Sequence, residues 1–230
     1  MPSRSQARAA WGMTKSRQRK ILDGWYARVN RAEFISSDPV KFPRRYTCPG
    51  DIENAAFLAA AIAWGRRDLV LRSAERMFSL MGNSPHDYIM SGGWKKLSGG
   101  VIHRTFFEGD LKYYCRGLRA CHEKYGSLEA LFAGKPGAEG SGAEKPGSEE
   151  PGEIWRGMAR FRDTAARANG GVFSKHIADP RSFSACKRLN LALRWLVRKD
   201  AVDMGLWKSI SPASLYIPLD IHAGRTARRL

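Results

Sequence analysis

Apolar positions recur at helical rather than strand spacing along most of the chain. Ile21, Leu22, Trp25, Tyr26 and Val29 fall three and four residues apart and predict a first helix ending near Asn30. Residues 38–49, DPVKFPRRYTCP, mix prolines, cations and aromatics without a period and read as a loop. From Asp51 an Ala- and Leu-rich run, DIENAAFLAAAIAWGRRDLVLRSAERMFSLMG, opens on an acidic N-cap and stops at Gly82, with a break expected at Gly65. Between Asp110 and Lys124, Leu111, Tyr114, Leu118 and Cys121 or His122 share one face, and Ser127 then caps the short helix LEALF. Ile154 to Ala168 reads as helix, with Asn169-Gly170-Gly171 as its stop. In SACKRLNLALRWLVRKD the buried side is Cys186, Leu189, Leu193, Leu196 and Val197, while Lys187, Asn190, Arg194 and Arg198 share a face expected to point away from the core. No segment alternates convincingly as a strand would, so the expected fold class is all-α.

Two segments lack this pattern. Residues 1–20 are mostly Arg, Lys, Ser and Ala and read as a flexible basic arm. Residues 134–152, GKPGAEGSGAEKPGSEEPG, hold too little apolar surface to offset the entropy of ordering and read as a disordered acidic insertion. The expected organisation is therefore an arm (1–20), a first helical lobe (21–133), the insertion (134–152) and a second helical lobe (153–230).

Charge changes the picture more than overall composition does. The 230 residues carry 39 Lys and Arg against 22 acids, a net +17, with +8 in residues 1–48 and +6 in residues 183–230. Such a field attracts polyanions, and nucleic acid is the expected partner. No run of about 18 apolar residues exists, and MPSRSQARAAWGMTKSRQRK lacks the apolar core of a secretory signal, so a cytoplasmic protein with no membrane partner is expected. Cys48, Cys115, Cys121 and Cys186 show no Cys-x-x-Cys spacing and read as reduced packing residues; Cys115, Cys121 and His122 are the nearest approach to a ligand cluster. Neither a metal nor a small-molecule cofactor is expected.

The candidate chemistry lies near the end of the chain, in WKSISPASLYIPLDIHAGRTARRL. Proline and Asp220 stand directly before a helix whose first turn is Ile221 to Gly224, which makes Asp220 its N-cap: a rigidly placed carboxylate at the positive end of a helix dipole. His222 and Arg225 follow as cations suited to phosphates.

The segment PLDIHAGRTARRL resembles helix-hairpin-helix DNA glycosylases, in which an Asp follows Pro-Val or Pro-Ile and His and Arg come next. More closely, the chain from Asp38 on resembles an uncharacterised bacterial protein family, through DPVKFPRRY, FLAAAIAWGRR, VIHRTF, YGSLEALF, SACKRLNLALRWLVR, GLWKSISPASL and IPLDIHAGR. The glycosylase resemblance implies a two-lobed helical fold, double-stranded DNA as partner, a nucleoid association, and removal of a flipped, damaged base. It implies Asp220 as the carboxylate that stabilises charge developing on the sugar and Lys187 as the amine nucleophile of a glycosylase and abasic-site lyase. Partial desolvation and crowding by Arg188, Arg194 and Arg198 would favour the neutral amine such a nucleophile needs. Those three arginines, with His222 and Arg225, are the expected nucleic-acid contacts. Arg44, Arg45, Arg66, Arg67, His103 and Arg104 sit in the other shared motifs as a possible further site, and Trp155, Trp195 or Trp207 are candidates to stack on an extruded base. PRSFSACKR stands where a Leu-Pro-Gly-x-Gly hairpin precedes the glycosylase lysine, and members of the uncharacterised family continue with further helices, so the second lobe is expected to be incomplete. The rival expectation is a non-catalytic nucleic-acid-binding protein on the same scaffold.

Overall fold

The computed structural model describes residues 14–134, 152–182 and 184–228, with the side chains of Ile221 and His222 excepted. The basic arm up to residue 13 and nearly all of the acidic insertion lie outside the described residues. The described chain is mostly helical: α1 (Lys15–Val29), α2 (Ala32–Ser36), α3 (Pro49–Ala61), α4 (Arg67–Ser79), α5 (Pro85–Ser91), the strands β1 (Val101–His103) and β2 (Phe106–Phe107), then α6 (Glu108–Tyr125), α7 (Leu128–Phe132), α8 (Glu153–Arg167), α9 (Lys187–Val197) and α10 (Ile221–Ala227).

Helix α3 is the axis of the core. Every residue from Asn54 to Ile62 is buried, and the run of alanines lets neighbouring helices approach closely, α9 along one side. Helices α6 and α8 meet at Gly117, where an added Cβ would lie 2.7 Å from that of Ala165. Gly157 does the same for α8 against α7, since its Cβ would meet the Phe132 ring at 2.7 Å. One continuous cluster of buried side chains runs from Val40 to Ile210, so segments before and after the insertion share a core.

Several boundaries differ from the sequence pattern, each for a local reason. Helix α3 begins at Pro49, a residue whose fixed φ suits a first turn, with Cys48 as N-cap. Asp51 is thus inside the helix, and its carboxylate instead accepts hydrogen bonds from Ser84 Oγ and the His86 amide, both at 2.8 Å. The break at Gly65 occurs, with that glycine at φ +88° between α3 and α4. Residues 38–49 are no surface loop: two 3-10 turns, Pro39–Lys41 and Pro43–Arg45, carry Val40 and Phe42 fully into the core. Helix α1 starts at Lys15, so helix extends into the expected arm, and it buries no residue. Its apolar stripe, Leu22, Trp25, Tyr26 and Val29, is exposed. The segment VIHRTFF is a two-stranded antiparallel hairpin, which has too few residues for alternation to be legible. Among the described residues no helix is long and apolar enough to cross a membrane.

Candidate functional site

Two helix beginnings meet at the site. Asp220 caps α10 as its sequence position predicts, its Oδ1 accepting the Ala223 amide at 2.8 Å. Its other oxygen accepts from Lys187 Nζ at 2.5 Å, joining the first residue of α9 to a carboxylate 33 positions later in the chain. The residue before Lys187, Cys186, sits at φ +44°, an uncommon backbone region for any residue but glycine. That kink is held by the chain around it: the Cys186 side chain is buried, its amide donates to Ser184 Oγ at 3.3 Å, and its carbonyl accepts the Asn190 amide.

Lys187 lines a cavity of about 210 Å³ together with Phe57, Ala61, Tyr114, His176 and Arg188. The apolar wall comes from α3 and the polar groups from α6, α9 and the segment before it. Tyr114 donates to the His176 carbonyl at 2.8 Å, and burial pushes its phenol far up from the ordinary value. The His176 ring bonds the Thr105 carbonyl at 3.2 Å and stacks on Trp64, with ring centres 5.6 Å apart. Burial pushes the His176 imidazole down, and Asp110, 3.6 Å away, opposes that shift. Trp64 carries Arg188 over its ring at 5.0 Å.

The cations expected to hold nucleic acid separate sharply. Arg188 turns inward: its Nη1 donates to the Ala61 carbonyl at 3.0 Å, at the C-terminal end of α3, so it is a cavity wall residue rather than a free phosphate ligand. Arg194 donates to Asp203 Oδ2 at 2.9 Å, and Arg198 to Asp200 Oδ2 at 2.8 Å with Asp203 at 3.4 Å. At Arg194 and Arg198 the face expected to be open is therefore closed by the turn between Lys199 and Met204, and Asn190 on the same face is buried and donates to the Ala185 carbonyl at 2.9 Å. Nor do these two arginines crowd Lys187, whose charged neighbour is the Asp220 carboxylate. Arg225 is exposed and meets no hydrogen-bond or ion-pair partner among the described residues. The side chain of His222 lies outside them.

The possible further site is dispersed. Arg44 donates to the carbonyls of Ala201 and Val202 and fixes that same turn. Arg45 makes a two-pronged pair with Glu75, and Arg66 makes one with Asp68. Arg67 lies over the Phe34 ring at 5.5 Å. His103 is buried, bonding Ser73 Oγ at 3.0 Å and the Trp64 carbonyl at 2.9 Å. Arg104, next to it, is exposed and has no hydrogen-bond or ion-pair partner among the described residues.

Of the tryptophans, Trp195 and Trp207 are core residues, the latter donating to Glu53 at 2.7 Å, and Trp155 packs on Tyr216. The indole beside the cavity is Trp64. The shared motif FLAAAIAWGRR holds it, but spacing does not show its place, because its neighbours Arg188 and His176 are more than a hundred residues away. The cysteines are not brought together as ligands: Cys115 and Cys121 are buried thiols pushed far up by burial, and His122 bonds Asn54. Among the described residues no three His, Cys, Asp or Glu side chains gather as a metal site would require.

A larger cleft of about 810 Å³ opens at the other end of α3. Three of its acids, Asp51, Glu53 and Glu129, serve the fold. Asp51 caps α5, Glu53 accepts the Leu128 and Glu129 amides and the Trp207 indole, and Glu129 accepts the Lys208 and Ser209 amides.

No curated protein and no solved structure matches the chain. A family model does, over residues 38–230, which hold both Lys187 and Asp220 as well as the cavity wall. The chain belongs to the family described as protein of unknown function (DUF2400).

Proposed function

We propose that this protein is a base-excision DNA glycosylase with abasic-site lyase activity, acting on a flipped, damaged nucleotide in duplex DNA on a glycosylase-like helical scaffold. The observation that carries the reading is the 2.5 Å contact between Lys187 and Asp220 at the rim of a cavity. An amine that is to attack a sugar carbon must first lose a proton, and a carboxylate in direct contact can accept it once bound DNA excludes water. The neutral Lys187 Nζ then bonds to C1′ as the C1′–N bond breaks, and the base leaves with the bonding pair and takes up a proton. Opening of the sugar yields a protonated imine on Lys187, and removal of a C2′ proton expels the 3′ phosphate. The departing base takes up the proton that Asp220 accepted, and the carboxylate restored by that transfer opposes the positive charge left on the sugar and the amine. Cavity volume supports an occupant the size of a single base, enclosed by Phe57, Tyr114 and His176.

Sodium borohydride added to the protein on an abasic-site duplex is expected to trap a covalent adduct that Lys187→Ala loses. A folded wild-type protein that traps nothing on abasic, uracil or 8-oxoguanine duplexes would sink the lyase chemistry.

The second reading is a non-catalytic nucleic-acid-binding protein on the same scaffold. It is favoured by the Lys187–Asp220 pair seen as a closed ion pair, and by the net charge of +17. It predicts equal affinity for intact and lesion-bearing duplex, with a steep salt dependence.

A further inference from the structure

The turn that joins β1 to β2 is two residues long, Arg104 and Thr105, and its first residue stands at φ +52°. Tight hairpin turns place Gly, Asn or Asp at such positions, because a side chain with a Cβ is strained there. An arginine in that place is not explained by the turn itself.

The turn is fixed on all sides. Arg76 donates to the Ile102 carbonyl at 3.4 Å, both ring nitrogens of His103 are engaged by Ser73 and Trp64, and the Thr105 carbonyl is bonded by His176. Because His176 is itself a wall of the Lys187 cavity and stacks on Trp64, the tip of the hairpin is held in a set relation to that cavity. The Arg104 side chain lies across Gly65, where an added Cβ would come within 2.6 Å of Nη1. Gly65 is at φ +88°, so two neighbouring backbone features leave room for one guanidinium.

This cation also lacks a counter-charge among the described residues, unlike Arg66 and Arg45. Arg66, one residue beyond Gly65, is closed by Asp68, and Arg45 by Glu75. Arg104 is exposed and meets no carboxylate among the described residues, and its guanidinium lies against Gly65. A pre-placed guanidinium facing solvent is suited to an oxyanion, and its fork geometry matches two phosphate oxygens.

We infer that Arg104 is a backbone-phosphate ligand: it grips the nucleic-acid strand beside the nucleotide that enters the Lys187 cavity. This rests on the proposed action at Lys187 and assigns a role to a residue that touches neither the base nor the sugar. Its contribution is to strand position and affinity, not to bond breaking.

The variant Arg104→Gly suits the test because glycine relieves the turn, so folding is not put at risk; Arg104→Lys keeps the charge and loses the fork. Binding of an abasic-site duplex is measured across a salt series, alongside borohydride trapping at saturating DNA. Arg104→Gly is expected to keep or raise the Tm, to weaken binding about tenfold, and to lower the slope of log affinity against log salt by about one. Arg104→Lys is expected to keep the slope with weaker binding, and both are expected still to trap adduct once saturated, unlike Lys187→Ala. An unchanged affinity and slope in Arg104→Gly overturns the assignment, as does a wild-type protein that binds no duplex. A wild type that binds with a steep slope but traps nothing sinks the lyase reading alone, and the Arg104 slope still decides this one.

Discussion

The two ends of α9 carry the same kind of side chain and put it to different uses. At its start, Lys187 pairs with Asp220, and both remain partly open, at 42% and 34% exposure. Near its end, Arg194 and Arg198 converge on Asp203, which is fully buried, with Asp200 beside it at 9%. Burial pushes the Asp203 carboxyl up despite two arginines, whereas Asp200 is held below the ordinary range by the Val202 and Asp203 amides and by Arg198, against the effect of its own burial. The C-terminal cluster locks the turn from Lys199 to Met204 onto the helix, and Arg44 holds the same turn from the far side. Helical periodicity places these cations in one row. The burial of the carboxylate that each one meets decides which is structural and which is available for chemistry.

The largest stability difference is expected between two aspartate deletions. Asp203→Ala removes the partner of two arginines and should cost about 3 kcal/mol, the lower end for a broken buried pair, because each arginine keeps a third of its surface in water. Asp220→Ala removes a helix cap and should cost about 1 kcal/mol while abolishing the trapped adduct. Chemical denaturation of both variants beside the trapping assay checks the contrast, and equal losses of stability would erase the distinction between the two ends.

Much of this arrangement was legible in the sequence because it is local. The caps at Ser127 and Asp220, the stop at Gly170 and Gly171 and the apolar faces of α6, α8 and α9 follow from spacing within single helices. The resemblance names Lys187 and Asp220 separately, and their direct bond is a feature only of the folded chain. What was not legible depends on chain that returns from elsewhere. Asn190 reads as outward although it is buried, and Arg44 reads as a free cation although its acceptors are carbonyls 157 and 158 residues later. PVKFP reads as a loop because prolines hide the fact that Val40 and Phe42 fill a gap beside α3. Trp64 falls in the break between two helices, where no periodicity reports on its surroundings.

Burial without a charged partner makes a third case. His122, on α6, is enclosed against α3 and α5, bonding Asn54 at 3.0 Å, with the His86 ring 4.8 Å away. Burial first, and the neighbouring His86 second, push it down to about 4 from an ordinary 6.5. The sign follows directly: a group whose folded value is lowered contributes stability above 6.5 that is lost as pH falls toward 4, by an amount on the order of 3 kcal/mol. His122→Gln, which can still donate to Asn54, should flatten stability across that window, measured by denaturant midpoints at successive pH values. A curve that falls as steeply in the variant would assign the acid loss to the other imidazole that burial pushes down, His176, instead.

The smallest expected effect tests the open end of α9 most directly. A double-mutant cycle with Lys187→Met and Asp220→Asn isolates the pair's own coupling from the loss of the cap, which asparagine preserves. Two groups left this exposed are screened by water, so their coupling in stability should be below about 1 kcal/mol, even though each single variant is expected to lose the adduct. Ionic strength separates the possibilities further, since the exposed pair should weaken with added salt and the Asp203 cluster should not. A coupling of several kcal/mol at Lys187–Asp220 would mean that the pair is built as a structural clasp like the one at the other end of the helix, and that reading favours a binding scaffold over an enzyme.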